Sequence, residues 1–183
     1  MNSTKLNFKW YVLQYVPFVG VAVLLTFATH EFIHYLTGEL LGNDMVMNLN
    51  ESYPSSGEYL KDWHFSIVTA TAPLFTFLQA IAFYVILRRR NVLLLFPLLV
   101  SPVVMRCMAL VFTFDNPNDE ARLSHDAGLS VWTIPIIVCS LMMCMLYVVV
   151  KKNQYSKSFV FWSILLTLIF TMILIEFNQH FLA

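Results

Sequence analysis

Hydrophobic positions fall in five long runs, parted by short stretches in which the charge collects. The runs are Trp10–Thr37, His64–Leu87, Val92–Phe114, Leu129–Val150 and Phe159–Phe177. A helix crosses a bilayer with about 20 consecutive apolar residues, so each run predicts a transmembrane helix. The predicted fold is all-α, a polytopic transmembrane bundle of about five helices, with residues 1–183 as one integral membrane domain. No Gly/Ser-rich linker or repeat divides it. The first run is too long for a signal peptide and lacks a small-residue cleavage site, so it is expected to be retained. Composition agrees: 58% of residues are hydrophobic and 12% charged, where soluble domains carry about 25% charged.

The net charge of zero conceals segregation. Lys5 and Lys9 precede the first run, Arg88, Arg89 and Arg90 follow the second, and Lys151, Lys152 and Lys157 follow the fourth. The other two connections are acidic, with Glu39, Asp44, Glu51, Glu58 and Asp62 in one and Asp115, Asp119, Glu120 and Asp126 in the other. The positive-inside rule then gives a multi-pass protein with a cytoplasmic N-terminus and an outward C-terminus. A basic excess of the kind that binds nucleic acid is absent. Cys107, Cys139 and Cys144 lie in apolar runs without a paired spacing, and read as small membrane-embedded hydrophobes.

One motif carries chemistry. His30-Glu31-Phe32-Ile33-His34 is an HExxH late in the first run. Helical residues four apart lie about 40° apart around the axis and one turn along it. His30 and His34 can thus offer two imidazoles to one tetrahedral zinc ion. Glu31, next to that face, is placed as general base toward a water that the ion acidifies. The bland alternative is a hydrogen-bonded histidine pair in a helix bundle. A carboxylate at membrane depth is costly, and this weighs for metal.

Zinc needs a third protein ligand. The richest polar segment is Asp115-Asn116-Pro117-Asn118-Asp119-Glu120-Ala121-Arg122-Leu123-Ser124-His125-Asp126. By the alternation of charge it emerges on the same membrane side as the end of the first helix, so the third helix delivers it near His34. Asp119, Glu120 and His125 are the candidate ligands. The same segment also reads as a solvated acidic loop, or as a short amphipathic turn capped by Asn118 or Asp119.

Arg106 is the only basic residue inside an apolar run. A membrane-buried arginine needs a partner, expected to be Glu31 or Asp119, and it is placed to steady a carboxylate or an oxyanion. Pro102 is expected to bend its helix. The stretch from Gly42 to Lys61 is rich in turn formers and reads as irregular surface structure, either a plain connector or a lid or edge strand.

These residues resemble the site-2 protease family of intramembrane zinc metalloproteases. The likeness rests on HExxH within a transmembrane helix, a second apolar helix, and an acidic segment after a later one, over about residues 10–127. The family's third ligand is an aspartate in an Asp-Gly motif, often after Asn-Pro. Asn116-Pro117-Asn118-Asp119 is similar, which makes Asp119 the matching position, although Glu120 stands where the glycine would be. Thr71-Ala72-Pro73-Leu74 occupies the place of the family's Gly-Pro substrate-positioning motif and departs from it. The resemblance implies peptide-bond hydrolysis in membrane proteins or peptides, with zinc as cofactor. Charge puts the His30–His34 turn near the outer end of its helix, whereas many relatives hold it closer to the cytosol. Two other classes fit the residues less fully: a zinc hydrolase of lipid amides, and a non-catalytic metal-binding membrane protein.

Overall fold

The computed structural model describes residues 11–114 and 117–181. Lys5 and Lys9 of the charge pattern, and Asp115 and Asn116 of the polar segment, lie outside the described residues. Five of the helices are long and apolar enough to cross a membrane. They are α1 (Val16–Leu40), α2 (Asp62–Arg89), α3 (Phe96–Phe112), α5 (Thr133–Asn153) and α6 (Lys157–Phe181), with a short α4 (Asp119–Asp126) between the third and fourth spans. A π-helical turn, Tyr11–Tyr15, leads into α1, and a 3-10 turn, Leu93–Leu95, into α3.

The ends of the helices follow local chemistry. Pro17 and Pro97 stand in the first turns of α1 and α3, where a missing N–H costs nothing. At the end of α1, Gly42 takes φ +85°. The Gly42 N–H then donates to Glu39 O at 2.9 Å, and the Asn43 N–H to Gly38 O at 3.0 Å. This is the Schellman pattern, which needs a left-handed residue and favours glycine. Gly128 closes α4 in the same way, its φ being +71°. That turn also corrects the fourth span, which begins at Thr133 rather than Leu129.

α3 is the centre of the bundle. Of its apolar window 56% is buried within the protein, against 28–39% for the other four spans. It packs on α1, α2, α5 and α6. Lipid is as apolar as leucine, so close packing and polar contacts between helices must hold such a bundle. Gly20 of α1 lets the Phe170 ring of α6 approach, Tyr15 and Ser163 share a 2.7 Å hydrogen bond, and Gln79 donates to Thr26 Oγ1 at 2.9 Å. Cys107 and Cys139, expected as separate small hydrophobes, meet as thiols across α3 and α5 with sulfurs 2.8 Å apart.

The two ends of the bundle differ. At one, the basic C-terminal ends of α2 and α5 come together, with Lys152 donating to the Arg88 carbonyl and Asn153 to that of Leu87 at 3.1 Å. At the other lie the end of α1, α4 and a small antiparallel hairpin, β1 (Met45–Met47) with β2 (Ser52–Pro54), in the register Val46↔Tyr53. The Gly42–Lys61 stretch is therefore ordered in part. The hairpin is fastened to α1, since Met45 N donates to Glu39 Oε1 at 2.8 Å, Ser52 Oγ donates to Glu31 O at 2.9 Å, and the buried Met45 side chain fills the space over Gly38. Leu49 N donates to Asn178 Oδ1 of α6 at 2.9 Å.

Candidate metal centre

His30 and His34 lie ten and six residues before the end of α1 at Leu40, about 15 and 9 Å inside it at 1.5 Å per residue. Both are buried, as is Glu31. The chain passes from the end of α3 to α4 on this same side, and α4 opens with Asp119. Asp119 Oδ2 stands 3.3 Å from His30 Nε2 and 3.3 Å from His34 Nε2. Bonds of about 2.0–2.1 Å to a tetrahedral ion place its donor atoms about 3.3 Å apart. The two imidazoles meet edge to face, with centroids 4.8 Å apart. Together the three residues form a cluster able to hold a metal ion, each offering one ligand atom.

The far nitrogens of both rings are spoken for. His34 Nδ1 lies 2.8 Å from the Val68 carbonyl, which can only accept, so Nδ1 carries the proton. His30 Nδ1 lies 2.9 Å from Thr76 Oγ1, whose own hydrogen goes to the Ala72 carbonyl at 3.0 Å, so here too the ring donates. In neutral rings this hydrogen-bond network leaves both Nε2 atoms as bare lone pairs. Val68, Ala72 and Thr76 recur at intervals of four and so share one face of α2. Outer partners of this kind fix the ring orientation of metal-binding histidines.

The third lone pair comes from Asp119. With both rings neutral, Asp119 Oδ2 and the two Nε2 atoms present three facing lone pairs.

No family model, curated protein or solved structure matches this chain. The site is therefore read from its own chemistry.

The other candidates fall elsewhere. Glu120 follows Asp119 by about 100° around the helix, so it turns from α1 to α3 and pairs with Arg106 at 2.8 Å. The expected partners of Arg106, Glu31 and Asp119, are thus replaced by Glu120. His125 has a side chain 80% exposed and stands apart from the cluster. A further buried histidine, His64, contacts Asn43 and is not part of the cluster. Thr71–Leu74 lies behind the imidazoles, where the Ala72 carbonyl holds Thr76, and does not line the pocket. Asn118 caps α4, its Oδ1 accepting from Ala121 N at 2.9 Å.

A cavity of about 490 Å³ opens over the cluster. Glu31, Arg106 and Arg122 line it together with the three ligand candidates, and hairpin residues Asn50–Tyr53 and α6 complete the wall. Thr76 and the Val68 carbonyl escaped the sequence reading. A backbone acceptor has no signature in sequence, and Thr76 is one threonine among several in an apolar run.

Replacing Thr76 with Val removes the acceptor for His30 Nδ1–H at nearly constant volume. Zinc affinity is expected to fall about tenfold, the lower range for loss of an outer-shell partner. Competition with a chromogenic chelator measures this; an unchanged affinity would show that Thr76 does not support the ring.

Proposed function

We propose that this chain is an intramembrane zinc metallopeptidase of the site-2 protease type, cleaving peptide bonds in membrane-associated substrates. What supports the reading above all is the convergence of His30 Nε2, His34 Nε2 and Asp119 Oδ2 at ligand spacing, beside a buried carboxylate on the same helix. Two nitrogens and one oxygen suit zinc, and three protein ligands leave a position for chemistry. Zinc in such a site supplies Lewis acidity toward a carbonyl oxygen and acidifies water.

The remaining work falls to side chains. Glu31 lines the cavity and sits one residue from His30. Its carboxylate takes the proton of the attacking water and returns it to the leaving amine as the C–N bond breaks. The hairpin and α6 wall one side of the cavity.

Lipid amides are the competing substrate class. A wholly apolar cleft of about 400 Å³ between α3, α5 and α6 shares Met108 and Phe112 with the walls of the cavity, and an acyl chain would fit it. Product analysis separates the two. Purified protein in liposomes is expected to release new peptide N-termini from membrane-anchored peptides, to stop when zinc is stripped by phenanthroline, and to resume on addition of zinc. Release of fatty acid from lipid amides with peptides left intact would overturn the peptidase reading.

The alternation of charge along the chain supports a site toward the outer face. A short epitope inserted at Ser56, in the exposed turn after β2, is expected to bind antibody on intact cells. Binding only after permeabilisation would reverse the orientation.

A further inference from the structure

The two residues that flank Asp119 both hold on to α3. Asn118 Nδ2 donates to the Ala109 carbonyl at 2.6 Å and to Thr113 Oγ1 at 2.8 Å, beyond its capping bond to α4. Glu120, only 2% exposed, accepts from Arg106 Nη1 at 2.8 Å. Arg106, Ala109 and Thr113 recur at intervals of three and four, which sets them along one face of α3. Between these two anchors Asp119 turns the opposite way, onto the histidines of α1.

The buried pair is poorly arranged for stability. Among the described residues, Arg106 Nε and Glu120 Oε2 find no hydrogen-bond partner. Charges taken out of water and incompletely satisfied stabilise little, and apolar residues of similar volume often serve as well or better. What the pair does contribute is position. Asp119 is the one ligand candidate outside α1, and it follows a proline-containing connection rather than a continuous helix. Unless that first turn is seated, binding an ion must also pay for ordering it.

We propose that Arg106, Glu120 and Asn118 are positioning residues, which seat the first turn of α4 on α3 so that Asp119 meets both imidazoles at ligand distance. The inference rests on reading His30, His34 and Asp119 as a metal site. It goes beyond that reading in assigning the affinity of the site to a face of α3 that touches no ligand atom.

The test uses the full-length protein in detergent, with zinc affinity from chelator competition and the visible absorption bands of the cobalt-loaded form. Arg106→Met with Glu120→Met removes both charges at once, so the net charge of the site is unchanged and any loss is geometric. Asn118→Ser keeps a good N-cap but gives up the reach to Ala109 and Thr113. Each is expected to bind zinc about tenfold to a hundredfold more weakly and to shift the cobalt bands, while its helical signal stays that of the wild type. If the double variant does not fold, Asn118→Ser alone decides. Wild-type affinity and wild-type cobalt bands in the folded variants would overturn the positioning role. A wild-type protein that takes up no zinc would overturn the metal site itself, and this inference with it.

Discussion

Glu31→Gln is expected to lower turnover by at least about a hundredfold and by up to about 10⁴-fold, the range for loss of a general base, while zinc stays bound. The reason lies in what the substitution removes. Gln is nearly isosteric and accepts hydrogen bonds, yet it cannot hold a proton between water and the leaving amine. On the energy scale this is about 3 kcal/mol or more of barrier. Glu31 is not one of the clustered ligand atoms, so metal content is expected to remain at the wild-type level. The substitution keeps the side chain's volume and its hydrogen-bonding capacity, so the fold is not expected to weaken. New peptide N-termini released from isolated membranes, counted for wild type and variant with zinc content in parallel, measure all of this. A variant that cleaves normally would remove Glu31 from the chemistry. One that loses its zinc would make Glu31 a ligand or a support instead.

Asp119→Ala is expected to have the opposite signature, with metal and activity lost together. It takes away the single ligand that α4 contributes, and zinc affinity should fall by more than the roughly hundredfold that an outer-shell partner costs. The fold should change little. Asp119 starts α4, where a carboxylate favours the helix dipole by about 0.3–1 kcal/mol. His125→Ala, at an exposed position on the same helix, is expected to bind zinc as the wild type does. Chelator competition on the three proteins checks the pair. Equal affinity in the wild type and Asp119→Ala, with a loss in His125→Ala, would move the third ligand along the helix.

Much of this arrangement was legible beforehand, and for physical reasons. A bilayer needs long apolar runs, so the five spans stand out in the sequence with errors of a few residues at their ends, as at Thr133. Fixed spacing on a helix puts His30 and His34 on one face whatever surrounds them. Alternating charge placed the segment holding Asp119 on the side of His34, and the chain does bring them together. What sequence cannot give is rotation. Whether Asp119 or Glu120 faces α1 depends on how α4 is turned about its axis, and that is decided by Asn118 and Arg106 gripping α3. The expected pairing of Arg106 with Glu31 or Asp119 failed for this reason. The hairpin was equally hard to see, since each strand has three residues and its bonds run to a side chain and a carbonyl of α1 and to a side chain of α6. Cys107 and Cys139 meet through helix packing across 32 positions, which no local pattern records.

The central claim is that His30, His34 and Asp119 hold zinc. Zinc K-edge X-ray absorption of the purified wild-type protein tests it most directly. The expected result is about one zinc per chain, with a first shell of nitrogen and oxygen at about 2.0–2.1 Å and the outer scattering of two imidazoles, lost in His30→Ala. Substoichiometric zinc, or a shell containing sulfur at about 2.3 Å, would contradict it.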